Sequence, residues 1–169
     1  MNTAEVLIDA FGRIRQLVEK SVEGLSPEDL AYRPDPAANS IAWLTWHLTR
    51  IQDDHVAEIA ADEQAWTAAG WADRFGLPFD VAATGFGHSS EDVAAVRPQN
   101  PELLIGYHEA VWSNTTAYLG AMGPNDLDRI IDESYDPPVS VGVRLVSVIS
   151  DNIQHGGQAR YVRGMLERR

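Results

Sequence analysis

Asp151 and His155 stand four residues apart in Ser150-Asp-Asn-Ile-Gln-His155-Gly-Gly-Gln158. On a helix, that spacing sets both side chains on one face, one turn apart. The stripe they share continues through Val148, Ala159 and Val162, so the pair is expected in apolar surroundings. An ionised carboxylate there is costly unless it is partnered, and a metal ion is an adequate partner. A third donor is available at His47, in the apolar stretch Trp43-Leu-Thr-Trp46-His47-Leu48. Two neutral imidazoles and one carboxylate suit a divalent metal, zinc foremost, with nickel, iron or manganese matched to the same donors. Three protein ligands leave positions open for water or substrate, which is the catalytic rather than the structural pattern.

Plainer roles are open to the same residues. A lone histidine on an apolar helix face can be a hydrogen-bonded core residue, and Asp151 could pair with an arginine or cap a turn broken at Gly156-Gly157. Trp43 and Trp46 flank His47 and could line a cavity, with core packing as the default. Asp54 and His55 would contribute a ligand only under a shifted register; otherwise they face solvent or an interface. His88 and His108 have no partner at telling spacing. Gly85-Phe-Gly87 lacks the lysine, the hydroxyl residue and the strand context of a phosphate loop, and no serine sits in a nucleophile elbow.

Positioning such a site requires helices, and four long segments carry helical periodicity. The first runs from about Thr3 to Glu23 through Val6, Leu7, Ala10, Ile14, Leu17 and Val18. The second starts near Asn39-Ser40 and carries Ile41, Leu44, Leu48, Ile51 and Ile59. The third opens on Asn100-Pro101-Glu102, which offers a cap, a first-turn proline and a first-turn acid. It runs to about Met122. The fourth begins near Ser140 and ends in a turn rich in arginine, suited to the negative end of the helix dipole. Residues 24–39 and 123–139 are short links, each with room for a single helical turn, whereas 66–99 form a long link rich in glycine, aromatics and acids. Short links favour antiparallel neighbours and one long link permits a crossover. The expected fold is therefore all-α: an up-down-down-up four-helix bundle with a long crossover between the second and third helices, as one domain over residues 1–169. Leu25-Ser-Pro-Glu-Asp-Leu30 echoes Met122-Gly-Pro-Asn-Asp-Leu127 after the first and third segments, consistent with related helix pairs or with reuse of helix-start chemistry.

Composition narrows the function. A formal net charge of −12 opposes binding to nucleic acid, which needs a basic surface, and to an anionic membrane. No apolar run approaches the about 20 residues that cross a bilayer, and Met-Asn-Thr-Ala-Glu lacks the features of a signal peptide. A soluble, cytoplasmic protein is expected. With no cysteine in the chain, disulfides, thiolate metal sites and a cysteine nucleophile are excluded. Any thiol chemistry must use a thiol that arrives as substrate.

The stretches Ser40-Ile-Ala-Trp-Leu-Thr-Trp-His47-Leu and Asp151-x3-His155-Gly-Gly-Gln158-Ala-Arg-Tyr-Val-Arg-Gly164 resemble the metal-site helices of the DinB/YfiT-like superfamily. The resemblance extends over nearly the whole chain and is nearest to the actinobacterial mycothiol S-transferase branch. It implies an up-down-down-up bundle whose usual ligands are one histidine from the second helix and His-x3-His from the fourth. Carried over by position, these are His47, Asp151 and His155, with Asp151 departing from the common histidine. The implied activity is metal-dependent transfer of a low-molecular-weight thiol such as mycothiol to an electrophile, a detoxifying reaction. The implied alternatives are hydrolysis or thiol-dependent isomerisation on the same metal, or a non-enzymatic metal- or ligand-binding helical module. Trp43, Arg50 and Gln158, near the implied ligands, are the substrate-pocket or supporting candidates. Related bundles often associate, so a homodimer is consistent with the resemblance, although no sequence feature fixes an interface.

Overall fold

The computed structural model describes residues 1–169 and is mostly helical. In chain order the elements are α1 (Thr3–Val22), α2 (Pro27–Leu30), α3 (Ile41–Ala60), α4 (Ala65–Ala68), α5 (Trp71–Phe75), α6 (Ser90–Ala95) and α7 (Pro101–Ala121). A 3-10 turn (Asp126–Asp128), an antiparallel pair of very short strands, β1 (Ile130–Asp132) and β2 (Val139–Ser140), and α8 (Val141–Leu166) complete the chain. No helix is long and apolar enough to cross a membrane.

Local chemistry starts each long helix. Asn2 and Glu5 form a capping box at α1, and the Ser40, Asn100 and Ser140 side chains accept from backbone N–H groups in the first turns of α3, α7 and α8. Pro101 fills the first position of α7, where no backbone donor is missed. The alternative of a turn broken at Gly156-Gly157 is not realised, and α8 runs through both glycines as the fourth helical segment was expected to. Gly156 is needed there because a Cβ would lie 2.4 Å from Leu17 Cδ2 of α1. The two echoed links differ: Ser26 and Asp29 form a second capping box that makes α2 a helical turn, whereas Asp126–Asp128 winds as 3-10 and leads into the strand pair.

The four long helices pack chiefly as α3 on α7 and α8 and α1 on α7 and α8, with a smaller contact between α1 and α3. Two apolar clusters result. One gathers Trp43, Trp46, Trp66, Leu104, Tyr107 and Val162; the other gathers Phe11, Ile14, Val56, Leu119, Leu145 and Val148. A polar layer falls between them on three helices. Gln52 of α3 donates to Thr115 of α7 at 2.9 Å and accepts from Asn152 of α8 at 2.8 Å. The sequence periodicity of α3 understates its burial, because Thr45, His47, Thr49, Arg50, Gln52 and Asp53 are buried alongside its apolar residues. This helix is covered by two neighbouring helices and by the crossover, so no face is left for solvent over most of its length.

His108 of α7 belongs to that buried polar set. Thr49 Oγ1 donates to the Thr45 carbonyl at 2.8 Å, so His108 Nδ1–H must donate to Thr49 Oγ1, 3.1 Å away. Burial, with a smaller contribution from Arg15, lowers the His108 pKa to about 3 from an ordinary 6.5. The unfolded chain therefore binds more protons between those two values. Stability from this group is fully present above pH 6.5 and is lost as pH falls toward 3. We expect unfolding free energy to decline by up to about 1.4 kcal/mol per pH unit in that window. Denaturant titrations from pH 7 downward should give a flatter slope for His108→Leu than for the parent chain.

Candidate metal centre

His47 comes from the middle of α3 and Asp151 and His155 from the facing turn of α8. One ligand-type atom from each lies within 4.8 Å of the other two. The His47 and His155 ring centroids are 4.8 Å apart at an interplanar angle of 75°, and His155 Nε2 is 3.4 Å from Asp151 Oδ1. The i,i+4 spacing brings the α8 pair together, and the α3–α8 packing delivers the third member.

The surroundings orient each donor. His47 Nδ1 is 2.6 Å from the Thr84 carbonyl; since a carbonyl only accepts, Nδ1 carries the proton and Nε2 keeps the lone pair. The Trp43 indole stacks on the His47 ring at 4.6 Å and 14°. His155 Nδ1 lies 3.1 Å from Gln158 Oε1, which likewise leaves Nε2 toward Asp151. Burial lowers the pKa of His47, outweighing the opposing hydrogen bond to Thr84. The hydrogen bond to Asp151 raises that of His155. The two imidazoles are thus shifted in opposite directions, His47 toward its neutral form and His155 toward its protonated form.

The apolar stripe expected around the pair is present, with Val148, Ala159 and Val162 buried. The pair itself lies at its edge, the Asp151 and His155 side chains being 32% and 21% exposed. Access for a small molecule is therefore from the α8 side. Asp151 does not cap a turn or meet an arginine. Its Oδ2 is buried and has no hydrogen-bond partner, an orphaned acceptor that the protein alone leaves uncompensated. An acceptor without a donor, beside two imidazoles whose Nδ1 atoms are turned to Thr84 and Gln158, fits a divalent cation.

The crossover closes the other side. Thr84, which orients His47, precedes Gly85 at φ +98°, and a Cβ there would lie 2.7 Å from His47 Nδ1 and 3.0 Å from the Trp46 ring. Only glycine lets the backbone pass this close. We expect Gly85→Ala to displace the Thr84 carbonyl from His47 and to weaken metal binding by about 10–100-fold. Competition with a chromophoric chelator measures this directly.

Arg50, a substrate-pocket candidate from its position, is fully enclosed beneath the crossover. Its Nε donates to the Ala83 carbonyl at 3.1 Å and its Nη1 to Gln64 Oε1 at 2.7 Å, with Asp53 at 3.7 Å and the Trp66 ring under the guanidinium. The Ala83 carbonyl it holds is one residue before Thr84. Trp43 lies against His47, and Gln158 is exposed beside His155. Asp54 and His55 stay away from the cluster: Asp54 accepts from Gln64, and His55 meets Arg144 near the start of α8.

Thr84, Gly85 and His88 carried no sequence signal as site residues. His88 accepts from Trp43 Nε1 at 3.1 Å and stacks on Trp46 at 5.7 Å and 19°, so it braces the two tryptophans that flank His47. Gly85 and Gly87 both adopt positive φ, which lets the segment turn beside them.

A family model described as mycothiol-S-transferase matches residues 6–167. Among solved structures, a conserved protein from Enterococcus faecalis is similar to this chain at 28% sequence identity and a TM-score of 0.90, over 96% of each chain. No curated protein matches.

Proposed function

The chain belongs to the mycothiol-S-transferase family, and from that premise we propose that it is a metal-dependent enzyme joining a low-molecular-weight thiol to an electrophile. His47, Asp151 and His155 would hold a divalent metal, zinc in the first instance. The observation that carries this reading is the convergence of one ligand atom from each residue within 4.8 Å, with the buried Asp151 Oδ2 left without a hydrogen-bond partner. A divalent metal in such a site favours a thiolate over its thiol, and the thiolate is the nucleophilic form.

The protein's own residues prepare the site. Thr84 and Gln158 fix the two imidazoles in the tautomer that presents Nε2. Asp151 contributes a negative charge where the common family pattern has a neutral imidazole, so the site is less electropositive than a three-histidine set. Trp43 and the Gly85 segment cover His47 and keep water from its buried side. The partly exposed face of Asp151 and His155 is the side from which substrates enter.

We also read the four long helices as an up-down-down-up bundle forming one domain over residues 1–169. In support, α3 and α8 pair in opposite senses, His47 with His155, Gln52 with Asn152 and His55 with Arg144. Thr49 with His108 and Gln52 with Thr115 run in the same sense between α3 and α7. So do Leu17 with Gly156 and Lys20 with Arg160 between α1 and α8.

The test is a conjugation assay with zinc-reconstituted protein, comparing mycothiol, other thiols and no thiol against a generic electrophile. The expected product is the thioether, formed only with thiol and lost on chelation. Hydrolysed electrophile without thiol, or a rearranged substrate with thiol unconsumed, would replace the transferase reading by hydrolase or isomerase chemistry. Loss of fold before any catalysis is seen on chelation would mark a structural metal.

A further inference from the structure

A groove of about 590 Å³ lies between residues 34–39 and the C-terminal half of α8. Its volume lies in the range of small-molecule sites. The cluster and the groove share one face of α8. Asp151, His155, Gln158, Val162 and Met165 follow one another at intervals of four, three, four and three, the repeat of a single helical stripe. Gln158 belongs to both: it lines the groove and accepts from His155 Nδ1. The rest of the wall is chiefly apolar, including Leu44, Val162 and Met165, and its lining contains one carboxylate, Asp35, and no cation.

Gly157 supplies a second observation. It also lines the groove and sits in the interior of α8, where glycine is a poor helix former. Unlike its neighbour Gly156, which must admit Leu17, it has nothing within 4 Å of a hypothetical Cβ. No packing demand inside the protein calls for a glycine at this position. A side chain there would project from the groove wall into open space.

We propose that this groove is the electrophile subsite of the enzyme and takes an uncharged, apolar electrophile such as an aryl halide; this rests on the transferase reading given above. An anionic electrophile would meet Asp35 with no cation to offset it, whereas an aryl ring would bury against Leu44, Val162 and Met165. With the ring seated there, its reacting carbon faces the His155 end of the stripe. The thiol sulfur bonds that carbon, the carbon–halogen bond breaks with its electron pair leaving on the halide, and the thiol proton passes to solvent.

Two variants of the zinc-reconstituted protein test this, with chlorodinitrobenzene as the neutral probe and chloronitrobenzoate as the anionic one. Gly157→Phe fills the groove and is expected to lower kcat/KM for chlorodinitrobenzene at least about tenfold, with zinc content and the KM for thiol unchanged. Gly12→Phe, the same substitution at an interior helical glycine of α1 away from the groove, is the control and should stay within about twofold of the parent. Met165→Arg should shift the ratio of the two electrophiles toward the benzoate by about tenfold. Unchanged chlorodinitrobenzene kinetics in Gly157→Phe would overturn the proposal.

A binding measurement separates its failure from that of the activity. Unreactive dinitrobenzene should perturb the Gly157 and Tyr161 amide resonances. If it does so while no thiol is conjugated to any electrophile, the transferase reading falls and the groove stands as an apolar-ligand site. Perturbation confined instead to the separate cavity walled by Trp46, Trp66 and Phe79 would overturn the groove assignment whatever the activity.

Discussion

His47→Ala, Asp151→Ala and His155→Ala are each expected to lose bound metal and to lower conjugating activity by well over about a hundredfold, because loss even of a ligand's supporting partner costs about 10–100-fold. The three effects should be similar, since a three-ligand site that loses one donor has too few left to compete with water. Asp151→Ala adds a distinct signature. It removes the acceptor that holds the His155 proton, so the His155 pKa should fall back from its raised value, a change that NMR titration of the metal-free protein reads without any assay. Asp151→His is expected to retain metal, because it restores the more common ligand set of the family. Metal analysis after dialysis against a weak chelator checks all four variants. Unchanged occupancy in the three alanine variants would remove the proposed centre, and a metal-free Asp151→His would remove the positional reading of α8.

Arg50→Ala should be the most destabilising single change outside the apolar clusters, at about 3–5 kcal/mol. The guanidinium is fully buried and Asp53, 3.7 Å away, is nearly so. Burial raises the pKa of Asp53 despite its hydrogen bonds with Tyr107, Trp66 and Ala65. Removing the arginine leaves that carboxylate without its cation and opens a cavity over the Trp66 ring. The same substitution frees the Ala83 carbonyl, adjacent to the Thr84 carbonyl that orients His47, so metal affinity should fall as well. Arg50→Lys keeps the charge but cannot reach Ala83 and Gln64 together with one planar fork. It is expected to recover part of the stability and little of the metal affinity. Denaturant unfolding and chelator competition on the two variants separate the terms. Equal metal affinity in the parent and Arg50→Ala would show that the crossover does not position His47.

The candidate centre was legible because its chemistry is encoded at helical spacing. Asp151 and His155 are one turn apart, and His47 sits on a second apolar helix whose start is marked by Ser40. The starts of the second and third long helices were equally readable, because Ser40 and Asn100 cap through contacts three residues away. The crossover was not readable. Its contacts with Trp43, His47 and Arg50 come from Thr84, Gly85, Ala83 and His88, some thirty to forty-five residues along the chain and without periodicity. The strand pair at 130–140 was missed for a related reason: it has five strand residues in all, too few to show alternation.

By itself, then, the sequence determined which residues could act as ligands, where the long helices begin, and that any thiol must come from outside a chain without cysteine. These properties depend on residue type and on neighbours within a turn or two. Tertiary packing alone decided that α3 meets α8 at the level of His47, that Arg50 is a buried brace rather than a surface contact, and that Gly85 lets the crossover close over one side of the cluster. It also decided that Asp151 Oδ2 is left without a partner. These outcomes depend on which distant backbone groups arrive beside each side chain, and packing brings them there with no trace in local spacing.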